Sequence, residues 1–476
     1  MNTSQNPYSR LLHLFDADHF YGRADEIVVI LQVITAPHPT SQAIYGSRTI
    51  GKTTLLHYLK DPNGAVKTYH DFVHSAYQVG GGRYLHFIYI NLNLFTPDDE
   101  LFFILMMSLE NSVDEDDCPI QDFNFAFYDD QMTKQHLHSI LRDTLKKLDD
   151  MGVRVVFLLD DFDTAVMILT IEDDHLLRVL ADIAPFIIAT EKPIPELRPE
   201  IVETSPLLGI LRPSALGLLS EESAKLLIKH PAKNANIAIS DDEALFLISI
   251  GGKHPFLLLS VCEFYFNMRR DYPDLPKLIA QQDNRNVKNQ FISRLLNLTH
   301  VKTVLQRTWS GLSIEEQRVL LRIADENDNP KASDAILIAG RLVNKALAEL
   351  DFQHGIYHVT GGLLQEYLSR YATTPPQPKI STQTMIATNI KELIQSLSPI
   401  DRNVFYYLVK NPNRVCTFDE LLDAVWTDTD KSKRALEAAI HRLRRHLTDG
   451  EEIQNIRGRG YKYVTSPTNQ PAKITD

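Results

Sequence analysis

The chain has 476 residues, and at about 150 residues per domain that length calls for about three domains and excludes a single small binding module. A composition of 44% apolar, 23% charged and 9% aromatic residues excludes collagen-like, low-complexity and wholly disordered chains. Lys plus Arg (49) against Asp plus Glu (61) gives a net charge of −12, an average that argues against a protein that coats nucleic acid.

The first twenty residues lack a basic stretch followed by an apolar core, so no signal peptide is read there. No run approaches the roughly 18 consecutive apolar residues of a membrane span. Cys118, Cys262 and Cys416 stand far apart without metal-type spacing, which argues against a disulfide framework or a zinc site. A cytoplasmic location and no membrane partner are therefore expected. From residue 1 to about 280, short apolar runs alternate with helical segments, the pattern of a parallel α/β sheet. The strand candidates are Gln42 to Tyr45, Tyr84 to Leu92, Val153 to Leu159 and Pro185 to Ala189.

Directly after the first of these comes Gly46-Ser47-Arg48-Thr49-Ile50-Gly51-Lys52-Thr53, followed by the helical run from Thr54 to Lys60. This fits G-x-x-x-x-G-K-[ST] at every fixed position. The glycines let backbone N–H groups curl round phosphate oxygens, and the helix directs its positive end at them. Lys52 then reaches the β- and γ-phosphates of ATP, and the Thr53 hydroxyl holds Mg²⁺. The run Val153 to Leu159 delivers Asp160 and Asp161 at its carboxyl end, where α/β sheets place ligands. Asp160 is the candidate for the Mg²⁺ shell, and Asp161 for orienting or activating the attacking water.

Phe20-Tyr21-Gly22-Arg23-Ala24-Asp25-Glu26, just upstream, resembles the hhGRxxE signature of the STAND ATPases and of Orc/Cdc6-type AAA+ initiators. The resemblance covers about residues 20–371. It implies that Gly22 and Arg23 lie near the base and ribose, that Gly46 to Thr54 form the phosphate cradle, and that Thr190, ending Phe186 to Ala189, acts as the sensor-1 polar group. Gly251-Gly252-Lys253-His254-Pro255 resembles the GxP module of STAND proteins, which makes Pro255 the candidate against the base. Two departures stand out: Lys52 and Asp160 are 108 positions apart, a gap that holds the acidic run Asp114 to Asp117, and the acid after Asp160 is Asp rather than Glu. The shorter Asp161 implies slow hydrolysis and a switch rather than a motor. Arg212, after the sensor strand, is the one arginine considered as a finger.

The same resemblance makes residues 313–371 the winged-helix lobe that follows the ATPase in both families: Ser313 and Glu316 form a capping box there, a second helix is expected over about 336–350, and a wing over 352–359 turning at His354-Gly355. A Pro-rich linker, 373–390, follows. From Lys433 to Leu447 the set Leu436, Ile440, Leu443 and Leu447 makes one apolar stripe, and Arg434, His441 and Arg445 lie opposite, as a helix in a major groove requires. The end, Ile456-Arg457-Gly458-Arg459-Gly460-Tyr461, reads as a hairpin. With Thr417/Glu420 as a further capping box and Leu421 to Trp426, this segment resembles the DNA-binding domain of OmpR/PhoB-type response regulators. That resemblance places Arg434, His441, Arg442, Arg444 and Arg445 on the recognition helix and Arg457 and Arg459 on the wing, with double-stranded DNA as partner.

The fold expected is thus an α/β P-loop NTPase core with a parallel sheet, followed by a helical lobe and two winged-helix domains. The divisions are residues 1–283, 284–372, 373–390 (linker), 391–465 and 466–476 (tail). The function expected is a slowly hydrolysing ATPase switch that controls DNA binding in transcription, with the family implying ATP-dependent homo-oligomers. Two alternatives stay open: a DNA-acting or nucleic-acid-sensing ATPase, and a DNA-binding scaffold with an inert ATPase fold. Charge is divided unevenly: residues 1–390 carry 35 Lys/Arg against 49 Asp/Glu, whereas 391–465 carry 13 against 11 and 431–462 carry 9 against 4. The whole-chain average therefore does not weigh against DNA binding.

Overall fold

Val153–Asp160 forms a strand in which all eight residues are buried, as happens when helices cover both faces of a parallel sheet. In the computed structural model this strand, β3, is joined by β1 (Gln42–Tyr45), β2 (Tyr84–Asn91), β4 (Phe186–Thr190) and β5 (Arg212–Ala215) in the order β2-β3-β4-β1-β5, every neighbouring pair parallel. The structure describes residues 6–11, 17–74, 83–96, 99–113, 123–129, 132–201, 203–281, 284–325, 330 and 332–372, then 401, 404–405, 407–408, 411, 414–425, 433–444, 451–456 and 459–465. The acidic run Asp114 to Asp117, Cys118 and the segment 373–390 fall outside these residues. Two compact units, Met1–Pro375 and Pro376–Asp476, are present and are described separately.

In the first unit the register places the strand ends together. Tyr45 pairs with Thr190 and Ala215, and Asn91 with Asp160, so the P-loop, Asp160 and Thr190 emerge at one edge of the sheet. Helices Leu101–Val113 and Lys134–Asp150 pack on one face, and Ala24–Thr35 and Lys52–Lys60 on the other. Arg154 lies inside β3 at 4% exposure. Its Nη1 donates to Ile34 O at 3.0 Å and Ala36 O at 2.6 Å, so the buried charge is compensated. The four expected strands are present; β5 escapes a sequence reading because it is short and carries Pro213, a residue confined to edge strands.

Helices Glu221–Asn234, Asp241–Gly251, Pro255–Asp271, Arg285–Leu295 and Thr299–Ser310 form the helical lobe. Ser220 caps the first through Ser223 N, and Ser240 with Glu243 closes a capping box on the second. Ile314–Ala324, opened by the Ser313/Glu316 box, Ser333–Asn344, the hairpin β6 (Ala348–Asp351) with β7 (Ile356–Val359), and Gly361–Tyr371 complete the winged helix. The helix expected over 336–350 stops at Asn344. Ala346 adopts a left-handed φ of 60°, which ends the helix, and Ala348 pairs with Val359 as the first residue of β6. Lobe and winged helix share one buried core, from Leu219 and Ala224 to Leu363 and Tyr367, so residue 283 separates no compact bodies.

The tightest join is backbone against backbone. Gly252 (φ 67°) and Gly361 (φ 75°) meet where a Cβ on Gly361 would lie 2.4 Å from Gly252 N. Lys253 pairs with Glu349 beside them. A Gly361→Ala substitution is expected to lower the stability of the first unit by more than about 2 kcal/mol, because both space and φ exclude a side chain. Gly340→Ala, within a helix and with open space around it, is expected to raise it by about 0.5–1 kcal/mol. Thermal unfolding of the full chain in both variants reads the difference.

Candidate functional site

The P-loop turns on left-handed residues, Thr49 at φ 61° and Gly51 at φ 103°, which aim successive N–H groups inward. Ile50 is fully buried and anchors the loop to the core. Lys52, first residue of its helix, donates from Nζ to Gly46 O at 2.7 Å and Ser47 O at 3.2 Å. Burial pushes the Lys52 ammonium below the ordinary lysine range, although Asp163, Glu191 and Asp160 pull the other way. A cleft of about 580 Å³ opens above, lined by Arg48, Thr49, Gly51, Lys52, Thr53 and Thr54 from the loop and helix. Asp161, Asp163 and Glu191 line it from the strand ends, and Pro255, Phe256 and Leu259 from the lobe.

The acidic side is more elaborate than its sequence announced. Asp160 is wholly buried; Tyr89 Oη donates to its Oδ2 at 2.9 Å, and Asp161 N to its Oδ1 at 3.0 Å. Asp161 has φ 52° and accepts from Asn91 Nδ2 at 3.1 Å. Asp163 accepts from the Glu191 N–H through both oxygens, at 2.9 and 3.0 Å, which ties the end of β3 to the end of β4. Burial holds the Asp163 carboxyl above its ordinary value. Glu191 accepts from Arg48 Nε at 2.9 Å. Tyr89, Asn91, Asp163 and Glu191 were not singled out from sequence. Of these, only Asp163 carried a signal, its position three residues after Asp160.

Gly46, Ile50, Asp160 and Thr190 support the cleft from beneath rather than lining it. Thr190 is buried, donates from Oγ1 to Lys192 O at 2.7 Å, and its O accepts from Gly46 N at 3.2 Å. Gly22 and Arg23 line a second cleft, of about 570 Å³, with Gly217, Ser223 and Lys253. Arg23 is a structural staple: Nη2 donates to Ile50 O at 3.1 Å and Gly217 O at 2.7 Å, and Nη1 to Glu26 at 3.2 Å. Arg212 is corrected as a finger. It opens β5 opposite Gln42, at the far end of the sheet from the P-loop. Three of the five non-glycine residues with positive φ among those described, Arg23, Thr49 and Asp161, surround this site, where backbone strain concentrates in functional proteins.

In the second unit, β8 (Val415–Thr417), β9 (Glu451–Ile456) and β10 (Gly460–Thr465) form an antiparallel sheet in the order β8-β10-β9. The Thr417/Glu420 box caps helix Phe418–Val425. Helix Lys433–Arg444 buries Leu436, Ile440 and Leu443 against Val404, Phe405, Cys416 and Tyr463. His441 and Arg459 are exposed, the latter in the turn between β9 and β10. Arg442 forks onto the buried Asp401 carboxylate at 2.9 and 2.7 Å, and Arg444 donates twice to Ile453 O, at 2.9 and 2.6 Å. Both arginines thus make contacts within the domain while remaining exposed. Arg434 sits on the helix, but its side chain, like Arg445 and Arg457 entirely, falls outside the described residues. Among the described residues no helix is long and apolar enough to cross a membrane, and Cys262 and Cys416 are free and buried.

Several known proteins resemble parts of this chain. Aeropyrum pernix ORC2, solved as ADPNP–ADP complexes, is 13% identical with a TM-score of 0.41 over 75% of this chain and 95% of its own. The Walker-type ATPase PABY2304 of Pyrococcus abyssi is 11% identical with a TM-score of 0.44 over 75% and 99%. Two uncharacterized transcriptional regulatory proteins of Bacillus subtilis (strain 168) match the C-terminal segment. YbdJ is 31% identical over 68 residues, 14% of this chain and 30% of its own length, and YclJ is 32% identical over 75 residues, 15% and 33%. The chain thus spans about a third of the length of these curated relatives. Residues 393–463 match the family model described as "Transcriptional regulatory protein, C terminal". The chain therefore joins a P-loop ATPase-like fold, read from its parallel sheet and phosphate loop, to a winged-helix domain of the transcriptional-regulator type.

Proposed function

We propose that this chain is a nucleotide-gated regulator: ATP with Mg²⁺ occupies the P-loop cleft of the first unit, and its presence and slow hydrolysis control DNA binding by the winged helix at 391–465. The observation that carries this reading is the convergence, in one cleft, of the P-loop, the Lys52 ammonium, the Thr53 hydroxyl and the carboxylates of Asp161 and Asp163. The donor set fits a magnesium nucleotide. Lys52, held on two carbonyls of its own loop, is placed to exchange them for phosphate oxygens; the Thr53 hydroxyl in the cleft wall would hold the ion, with the Asp160 carboxylate, buried beneath the cleft, in its outer shell. Bound ATP supplies a terminal phosphate whose charge is present before hydrolysis and absent after it.

Around that group the chain's own residues have separable tasks. Asp161, short and held by Asn91, orients the attacking water, and its reach suits slow turnover. Thr190 and Asp163 hold the ends of β4 and β3 in register, so the P-loop and acids keep their spacing. Pro255, Phe256 and Leu259 bring the helical lobe to the same cleft, and that lobe shares its core with the first winged helix. A change at the phosphate end therefore reaches a large rigid body. In the second unit His441 and Arg459 present their side chains to solvent, and Arg442 and Arg444, also exposed, make contacts within the domain; Arg434, Arg445 and Arg457 add charge in the same segment.

Titration calorimetry of full-length protein with ATP and Mg²⁺ is expected to give saturable binding that weakens at least tenfold in Lys52→Ala, the cost of one charge-assisted contact. Unchanged affinity in that variant would contradict the reading. For DNA, Arg459→Ala is expected to weaken binding uniformly and to reduce the salt slope by about one, as loss of a phosphate contact does. Arg442→Ala is expected to lower the stability of the second unit, because it removes a bidentate ion pair to the buried Asp401 carboxylate. Fluorescence anisotropy across a salt series and thermal unfolding separate these effects.

A further inference from the structure

The P-loop cleft is not the end of the charged surface around the loop. Adjoining it at Arg48, Thr49 and Glu191 lies a smaller pocket of about 90 Å³, lined by the P-loop crest and by the helix Thr299–Ser310 that leads into the first winged helix. Four cations line it: Arg48 and Lys192 from the core, Arg307 from the lobe and Lys345 from the first winged helix. Glu191 is the one acid. That acid is matched by Arg48 at 2.9 Å, and Lys345 is matched by Glu316 outside the pocket. Lys192 and Arg307 have no hydrogen-bonding or ionic partner for their side chains among the described residues. Ser47 Oγ, also in the pocket wall, is buried and has no hydrogen-bond partner.

Three features of this pocket point to one class of ligand. Two unpaired cations, Lys192 just past β4 and Arg307 on the helix Thr299–Ser310, line one pocket, and like charges gathered without a counter-ion are unfavourable. A buried hydroxyl without a partner is costly and waits for one. Val304, Leu312 and Leu347 add apolar lining, which lowers the local dielectric and strengthens a charge interaction made beside it. The volume, about 90 Å³, is enough for a single tetrahedral anion.

We infer that this pocket is an oxyanion site: one phosphate group sits between Arg307 and Lys192, accepts a hydrogen bond from Ser47, and bridges the P-loop crest to the lobe that carries the first winged helix. The phosphate has two possible sources, free inorganic phosphate or the terminal phosphate of a nucleotide seated in the neighbouring cleft. The first stands whether or not the P-loop takes ATP, since Lys52 lines only the larger cleft; the second rests on the nucleotide reading. Either way the anion ties together two parts of the unit that otherwise present repelling charges, so its arrival closes the seam and its loss loosens it.

The test titrates inorganic phosphate against full-length protein at constant ionic strength, followed by thermal shift, and measures ATP and ADP affinities alongside. The proteins are the wild type, Arg307→Gln, Lys192→Gln and Lys52→Ala. If free phosphate is the ligand, stabilisation saturates in the wild type, persists in Lys52→Ala and under saturating ADP, and needs at least tenfold more phosphate in Arg307→Gln and in Lys192→Gln. If the terminal phosphate is the ligand, free phosphate gives no saturable shift, and the same two variants reduce the preference for ATP over ADP at least tenfold. The inference is overturned if both variants leave the phosphate response and the ATP/ADP ratio unchanged, or if the phosphate response is lost in Lys52→Ala alone, which would assign it to the P-loop. Because Arg307 and Lys192 stand on opposite sides of the seam, misfolding of one variant leaves the other to decide.

Discussion

The buried guanidinium of Arg23 is the constraint on which the nucleotide end of the molecule depends. At 9% exposure it ties three otherwise independent pieces: the loop before the first long helix, the P-loop through Ile50 O, and the chain leaving β5 through Gly217 O. Burying a charge is costly unless its donors are used, and here two donors satisfy backbone carbonyls while a third meets Glu26. Burial alone depresses its proton affinity, and Glu26 opposes the shift. The left-handed φ of Thr49 is strained backbone, and the staple at the next residue, Ile50, holds it. With the loop fixed, the parallel register of β1, β3 and β4 places Thr190 and the three aspartates around it.

Everything on the lobe side follows from continuity of packing. The helices from residue 221 to 310 and the winged helix beyond share one core, and the glycine pair at 252 and 361 brings them into backbone contact. Such an assembly is poorly compressible and moves as a body or not at all. The loop Gly251 to Pro255 belongs to both sides. Pro255 faces the P-loop cleft, whereas Gly252 and Lys253 touch the winged helix. A ligand that changes the fit at Pro255 thus acts on a lever already engaged with its load, and the cationic seam at Arg307 and Lys192 supplies a second point at which charge sets that fit.

Much of this was legible in the sequence because spacing encodes it. The G-x-x-x-x-G-K-[ST] pattern, the apolar run ending in Asp160-Asp161, the capping boxes at Ser313 and Thr417, and the stripe Leu436, Ile440, Leu443 are local patterns, and local geometry follows from them. What escaped were interactions between distant positions. Asp163 and Glu191 meet only because β3 and β4 are adjacent, and the ties of Arg23 to carbonyls 27 and 194 residues away leave no local trace. Arg212 was misplaced because a sequence gives the order of a strand's residues, and only the parallel pairing with Gln42 fixes which end of the sheet it occupies. In the second unit, family position put Arg442 and Arg444 with the other arginines of the recognition helix, and their ties to Asp401 and to Ile453 O are the part that position did not give.

The account's central claim is that nucleotide in the first unit sets DNA binding by the second. The direct measurement is the affinity of the full-length protein for a DNA site, obtained by selection from random sequence, at fixed salt with and without ATP and Mg²⁺. Coupling between sites typically spans about 5- to 150-fold. The account predicts a difference within that range that vanishes in Lys52→Ala. Equal affinities in the two conditions, from a wild-type protein shown to bind ATP, would contradict it.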